Sequence, residues 1–380
     1  MSFSSLESIT DFLEPIDKFI ISGDEGYHKQ QVGYNLRAYE EAFPDIENVN
    51  LILLGCNEYR GMASKPPQEK AADLIRRSFY KLYLWHADIT IADVGNLKCG
   101  ASLKDTYAAM KTVVEELLQH GKRVVILGGS HDLTLAQYQV YAGHQEIIEA
   151  SCIDGKIDID MESPLPADKF LMQMLTEEPN FVKHYNHIGF QSYLVHPGLL
   201  ETIDKLRFDC FRVGMARENM EEMEPVIRSS RLFSFDISAI QNAYAPANTL
   251  SPNGFTGEEA CMLMQYAGMS THMNTIGIYG YHPEKDINEL TAKQISQMLW
   301  YLIDGIYKSL NEVNFRENDN FNVFNLAFAQ VETSFRQSKK TGRWWMELPD
   351  GAFIACSYKD YITACDNEIP ERWMRAVERS

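Results

Sequence analysis

The chain has no run of 18 consecutive apolar residues, so no helix is expected to span a membrane. Its amino terminus, MSFSSLESITDFLEPID, has no basic stretch followed by an apolar one and does not read as a secretory signal. Cysteine is sparse: seven in 380 residues, an odd number with no C-x-x-C pair. That argues for reduced thiols in the cytoplasm over a disulfide framework. Positive charge is also short. Lys and Arg number 35 against 53 Asp and Glu, a formal net charge of −18, which argues against a nucleic-acid or anionic-membrane partner. There is no internal repeat and no low-complexity segment. What is left, 45% hydrophobic and 23% charged residues, is ordinary for a globular protein able to bury a large core.

The organising stretch runs from Arg123 to Asp158. Val124–Leu127 and Ala150–Ile153 are apolar runs of strand length, each ending in a polar cluster. Between them Leu133, Leu135, Ala136, Val140 and Tyr141 fit one helix, with Gly143 as its stop. Such a strand–helix–strand unit brings Gly128-Gly129-Ser130-His131 and Asp154-Gly155-Lys156-Ile157-Asp158 to one sheet edge, where open parallel sheets form ligand sites. Alternate residues of an extended segment share a face, so Asp154, Lys156 and Asp158 are expected to point together. Arg231–Ser238 repeats the pattern, a strand ending in Asp236 with Ser238 two positions on. The Gly128-Gly129 pair suits a tight strand exit. It is not a phosphate loop, since no G-K-[ST] follows.

Further strands are expected at Val49–Gly55, His187–Phe190, Asp209–Val213, Leu232–Phe235 and Thr275–Tyr279. Helical spacing runs through Leu74, Phe79, Leu82 and Tyr83. Ser102 and Asp105 open a helix that Gly121 closes, and Thr256–Glu259 and Thr291–Gln294 read as capping boxes. Residues 1–48 are expected to form short helices over the sheet. Glu58 and Arg60 read as a loop salt bridge, with substrate contact as the alternative. His184 and His187 have helix-like spacing, yet His187 opens a strand, so a second metal pair is not expected there. Beyond about residue 311, NFRENDNFN is polar and linker-like, VFNLAFAQVETSF alternates like a strand, and QSKKTGRWWMEL reads as a turn entering an aromatic strand. Trp344, Trp345 and Trp373 lie in this tail, too aromatic to be disordered. Residues 313–380 are therefore expected to pack on the α/β domain formed by 1–312, or on a neighbouring subunit or protein partner.

GGSHD, DGKID and SFDIS, in this order and spacing, resemble the three metal-binding motifs of the ureohydrolase superfamily. That superfamily includes arginase, agmatinase and formimidoylglutamase, and its usual motifs are GGDHS, DAHxD and SxDxD, holding two manganese ions that share a hydroxide. The similarity runs from about residue 50 to about residue 310. The flanks GNLKCGASLKDTY and PNGFTGEEA are most similar to formimidoylglutamase. The resemblance implies a three-layer αβα arginase-like fold with a mostly parallel sheet.

The departures carry as much meaning. Carried over residue by residue, His131, Asp154, Asp158 and Asp236 keep ligand identity, and in the family pattern they surround one metal. Lys156 stands in place of a histidine ligand and Ser238 in place of an aspartate, both private to the other metal. The family glutamate that meets the guanidinium or amidinium group falls on Gly280, in GYHP where relatives read EVNP. Arginases also carry a proton-shuttling histidine in the loop after the middle motif; no histidine lies between His144 and His184.

The resemblance, with these departures, implies at most one divalent ion per chain, manganese foremost, on His131, Asp154, Asp158 and Asp236. Asp158 and Lys156 are the candidate catalytic pair. Charge counting points the same way: three aspartates would face one divalent ion plus Lys156, so Lys156 is expected to stand in for the missing ion, near Asp154 or Asp236. A metal-free cluster with Lys156 bridging Asp154 and Asp158 is the alternative. The first functional reading is a formimidoylglutamase/arginase-like protein with lost or strongly reduced amidine C–N hydrolysis and a binding or assembly role. The alternative is an active metal-dependent hydrolase of a linear amidine or guanidine, such as formimidoylglutamate, its small-molecule partner. A different one-metal hydrolase is a third. A homo-oligomer or a protein partner is expected to form through the C-terminal extension.

Overall fold

Ten short strands build the central sheet: β1 (Leu13–Glu14), β2 (Arg37–Ala38), β3 (Leu51–Cys56), β4 (Ile91–Leu97), β5 (Arg123–Leu127), β6 (Ile148–Ile153), β7 (Val182–Phe190), β8 (Asp209–Arg212), β9 (Leu232–Asp236) and β10 (Thr275–Tyr279). The structure, a computed structural model, describes residues 4–379 apart from 24–25, 313–314, 316–317 and 329. The strands are ordered β1-β4-β3-β5-β10-β9-β6-β7-β8, with β2 also on β4. All pairings are parallel except that of β1 with β4.

Both faces of this sheet are covered, which is why its central strands are apolar throughout rather than alternating. Leu51, Leu53, Val125 and Leu127 pack with helices Ala71–Phe79, Gly257–Met269 and Leu290–Leu310 on one face. Ile52, Leu54, Val124 and Ile126 pack with helices Leu103–Gln119 and Leu133–Gly143 on the other. The result is the three-layer αβα arrangement with a mostly parallel sheet. Among the described residues no helix is long and apolar enough to cross a membrane.

Strand β4 departs from the apolar pattern, and the expected strands did not include it. Its Asp93 and Asn96 are buried because helix Ala71–Phe79 presents Arg76, itself fully buried, to them. The guanidinium donates to both oxygens of Asp93 at 2.8 Å, to Asn96 Oδ1 at 2.6 Å, to the Gly95 carbonyl at 2.9 Å and to Asp73 at 2.7 Å. Those five bonds use all five N–H groups, the condition under which an interior guanidinium is tolerable.

The capping boxes at Ser102 and Thr256 form. The one expected at Thr291 does not. Its helix begins at Leu290, and the Asp286 carboxylate accepts from the Thr291 and Ala292 amides, taking over the cap from outside the helix. The helix through Leu74 and Phe79 stops at Phe79, so Leu82 and Tyr83 lie in the loop beyond it.

The C-terminal segment forms an antiparallel sheet, β11 (Phe321–Phe328), β12 (Val331–Ser338), β13 (Trp344–Glu347) and β14 (Phe353–Cys356), in that order, followed by helices Tyr358–Cys365 and Glu371–Arg379. Phe328, Phe335, Trp344, Met346 and Trp373 make its own core. It rests on the α/β unit through Arg228, which donates to the Trp344 carbonyl at 2.7 Å and stacks 4.7 Å from the Trp345 ring. Trp344 is buried and Trp345 half-buried. The polar stretch NFRENDNFN is not all linker: Phe321 and Asn322 open β11, while residues 314, 316 and 317 lie outside the described residues.

Removing Arg76 leaves Asp93 buried without its partner. Arg76→Ala is expected to lower the unfolding free energy by roughly 3–5 kcal/mol, read from urea unfolding curves. A loss below about 1 kcal/mol would show that this ion pair does not hold helix to sheet.

Candidate metal centre

Four adjacent strands, β5, β10, β9 and β6, deliver the site from their carboxyl ends. The chain leaves β5 through Gly128 and Gly129 at φ of 89° and 86°, a left-handed path that places His131 over the sheet edge before the helix begins at Leu133. Asp154, Lys156 and Asp158 follow β6, Asp236 ends β9, and Ser238 lies in the turn after it.

These chain ends converge. His131 Nδ1 lies 2.8 Å from Asp158 Oδ2, 3.1 Å from Asp154 Oδ2 and 3.9 Å from Asp236 Oδ2. Its other nitrogen pairs with Ser234 Oγ at 2.6 Å, and Thr134 holds that hydroxyl at 2.9 Å, so the ring is fixed from behind. His131, Asp154 and Asp158 are buried, and one ligand atom from each lies within 4.8 Å of the others. Ligand atoms around a hard divalent ion at roughly 2.1 Å stand about 3–4 Å apart, which this set matches.

The electrostatics ask for a cation. Burial and the charge of Asp154 push Asp158 up to about 7. For Asp154 burial acts in the same sense, but the hydrogen bond and charge of His131 outweigh it and hold the group below the usual carboxylate range. His131 is raised well above an ordinary histidine, because Cys152 and the two carboxylates overcome the cost of burial.

The decisive detail is Asp154. Its Oδ1 accepts from the Ser238 hydroxyl and from the Lys156 amide at 3.2 Å. Its Oδ2 must share the His131 Nδ1, 3.1 Å away, with Asp158, which takes the better-directed bond at 2.8 Å. A buried carboxylate oxygen without a donor of its own is costly unless a cation meets it. His131, Asp154 and Asp158 therefore form a group that could hold a divalent ion, with Asp236 beside it.

Residues 49–304 match the Arginase family. This chain belongs to that family. A formimidoylglutamase of Vibrio cholerae serotype O1 is 23% identical over 270 residues, 64% of this chain and 79% of that protein. One from Staphylococcus haemolyticus is 21% identical over 288 residues, 69% and 90%. Among solved structures, the formimidoylglutamase from Bacillus subtilis gives a TM-score of 0.61 at 17% identity, covering 68% of this chain and 87% of that one. Trypanosoma cruzi formiminoglutamase, solved with manganese, gives 0.63 at 12% identity, covering 73% and 98%. Likeness at these identities establishes the arginase-like fold.

Within that family frame, the two substituted ligand positions behave differently from expectation. Lys156 does not pair with Asp154 or Asp236. Its ammonium meets Asp158 Oδ1 at 3.0 Å and Asp168, which the short helical turn Pro166–Asp168 carries in after two prolines. Asp158 and Asp168 raise the lysine well above its ordinary range against the cost of burial. The charge count thus gains a fourth carboxylate, and the metal-free bridge from Asp154 to Asp158 does not form either. Ser238 donates its hydroxyl to Asp154 Oδ1.

Gly280, after β10, sits at φ of 80°, and a Cβ there would stand 2.5 Å from Asp236 Oδ2. No side chain fits without moving a carboxylate of the centre. Glu58 bonds Arg60 and Thr106, so the salt-bridge reading holds; its carbonyl accepts the Ser130 amide at 2.8 Å and braces the His131 loop. His184 pairs with Asp209 and His187 with Tyr185. His282 faces the Lys65 carbonyl and the Tyr59 ring, a structural place.

A cavity of 310 Å³ opens on the cluster, lined by His131, Lys156, Asp158, Asp168, Asp236 and Lys285 among others. Three contributors escaped the sequence reading. Ser234 was within reach, two positions before Asp236 on the same strand face. Asp168 and Asn248 were not: Asn248 holds the Ser238, Ile240 and Ser251 carbonyls, contacts with no local signature.

Gly280→Glu is expected to cost roughly 1–3 kcal/mol of stability and to create no amidine hydrolysis, because backbone and Asp236 both resist the side chain. Urea unfolding of Gly280→Glu and Gly280→Ala checks this; unchanged midpoints in both would show that the loop relaxes freely.

Proposed function

We propose that this chain holds one divalent ion, manganese foremost, and that its amidine C–N hydrolysis is lost or strongly reduced, leaving the centre to a binding role. The observation that carries this reading is Asp154. The family's second ion would share that carboxylate, and here Ser238 and the Lys156 amide already occupy the outer oxygen. His131, Asp154, Asp158 and Asp236 would hold the single ion, which would supply Lewis-acid polarisation to a bound ligand.

The chain's own residues then set what the centre can do. Lys156 and Asp158, the proposed catalytic pair, lie 3.0 Å apart and line the same cavity, so the lysine orients that carboxylate and keeps part of its charge neutralised. Gly280 gives an amidinium no carboxylate. The missing charge-assisted bond is worth about 1.5–3 kcal/mol, roughly ten- to a hundredfold in affinity. Residues 313–380 are the proposed unit for homo-oligomer or partner contacts, supported by exposed Tyr358, Ile362, Ile369 and Met374 on or beside its helices. Seven free cysteines are in keeping with a cytoplasmic setting.

One observation favours the second reading, an active hydrolase of a linear amidine such as formimidoylglutamate. The buried His131 cluster opens into a cavity of 310 Å³ that also carries the Asp168 carboxylate, and relatives named formimidoylglutamase share this fold.

Elemental analysis after manganese loading and desalting is expected to find one ion per chain, with no formamide or urea released from formimidoylglutamate, arginine or agmatine. Lys156→His combined with Ser238→Asp should raise occupancy towards two ions. Two tightly held ions in the unaltered protein would overturn the one-ion reading, and formamide release at enzymatic rates would establish the second reading instead.

A further inference from the structure

Cys56 is the last residue of β3, and Cys99 lies two residues beyond the end of β4. The two strands pair in parallel with Cys56 opposite Leu97, so the chain leaving β4 passes alongside Cys56. The two thiols stand close enough to influence each other's ionisation. Arg60 already ties the two loops together, donating to the Gly100 carbonyl at 2.9 Å and the Ala101 carbonyl at 2.8 Å while bonding Glu58. Cys56 is buried and Cys99 exposed. The metal centre uses neither.

We propose that Cys56 and Cys99 form a reversible disulfide on exposure to hydrogen peroxide, fastening the exits of β3 and β4 behind the His131 loop. Cys99 is the nucleophile. The neighbouring Cys56 thiol, the Asn57 backbone and the Arg60 charge hold its thiol below the ordinary range against partial burial and Glu58. Its thiolate attacks one peroxide oxygen; the S–O bond forms, the O–O bond breaks and hydroxide leaves. The Cys56 sulfur then attacks the sulfenic sulfur; the S–S bond forms, the S–O bond breaks and a second hydroxide leaves. The two thiol protons convert both hydroxides to water, the sulfur pair loses two electrons and the peroxide gains two.

The bond is placed to be felt at the site. Beyond Cys56 the same loop carries the Glu58 carbonyl that accepts from Ser130, and Tyr59, whose hydroxyl donates to the Tyr281 carbonyl at 2.6 Å beside Gly280. Cys365, the other exposed thiol, lies on a C-terminal helix away from this loop and serves as an internal control.

The test uses the full-length protein, treated with hydrogen peroxide, alkylated and mapped as peptides without reduction. The expected product is a cross-linked Cys56–Cys99 peptide, with loss of two alkylatable thiols that dithiothreitol restores and a rise of several degrees in the thermal midpoint. Cys99→Ser, an exposed substitution, should abolish the cross-link and leave Cys56 reduced. Cys56→Ser should leave Cys99 as a sulfenic acid trapped by dimedone; if that variant does not fold, the Cys99→Ser arm decides. Cys99 driven to sulfinic acid, or joined to Cys365 of another copy while Cys56 stays alkylatable, overturns the proposal. So does survival of both thiols at peroxide levels that oxidise Cys365.

Discussion

One carboxylate, Asp154, has two oxygens facing two different neighbourhoods, and the character of the centre follows from how each is satisfied. The outer oxygen meets the Ser238 hydroxyl and the Lys156 amide, both neutral donors. The inner one faces His131 without a hydrogen bond of its own. In a buried place a carboxylate needs compensation on both sides. Neutral donors answer the outer side. The inner side is left to a charge, whether the proton that His131 holds or an ion among the four retained ligands.

That division depends on the sheet. Four neighbouring strands end together, so residues separated by more than a hundred positions meet within hydrogen-bond distance, as His131 and Ser234 do. The strands hold register because both faces are covered, and β4 can carry Asp93 and Asn96 inside because Arg76 satisfies them. Asp93 and Asn96 are thus answered by a specific partner, whereas in the site Asp154 Oδ2 is one of several buried polar atoms left without a hydrogen bond of their own.

The parts legible in the sequence are those whose cause is local. A strand that ends in an acid, a glycine pair at a tight exit, and a serine three residues before an aspartate at a helix start each carry their own signature. His131, Asp154, Asp158 and Asp236 therefore came together as read. The illegible parts are those decided by a distant partner. Asp93 and Asn96 hid β4 because their answer, Arg76, sits about twenty residues away on a helix. Thr291 looked like a cap because nothing nearby showed that Asp286 would reach the same amides. The family position of Lys156 and the charge count both point to Asp154 or Asp236, and neither includes Asp168, in a proline-rich loop whose path no periodicity describes.

Two of the positions where the resemblance breaks off, Ser238 and Gly280, are linked through Asp236. Ser238 is short enough to donate to Asp154 without pushing into Asp236, whose own Oδ1 accepts the Ser238 amide at 2.8 Å. Asp236 in turn stands so close to Gly280 that a side chain at 280 would collide with it. A carboxylate could return to position 280 only if Asp236 moved, and Asp236 is held where it is by the turn that carries Ser238. The Asp236–Ser238 turn thus fixes the carboxylate that any side chain at 280 would meet, and the room at position 280 is set from a different strand end through Asp236.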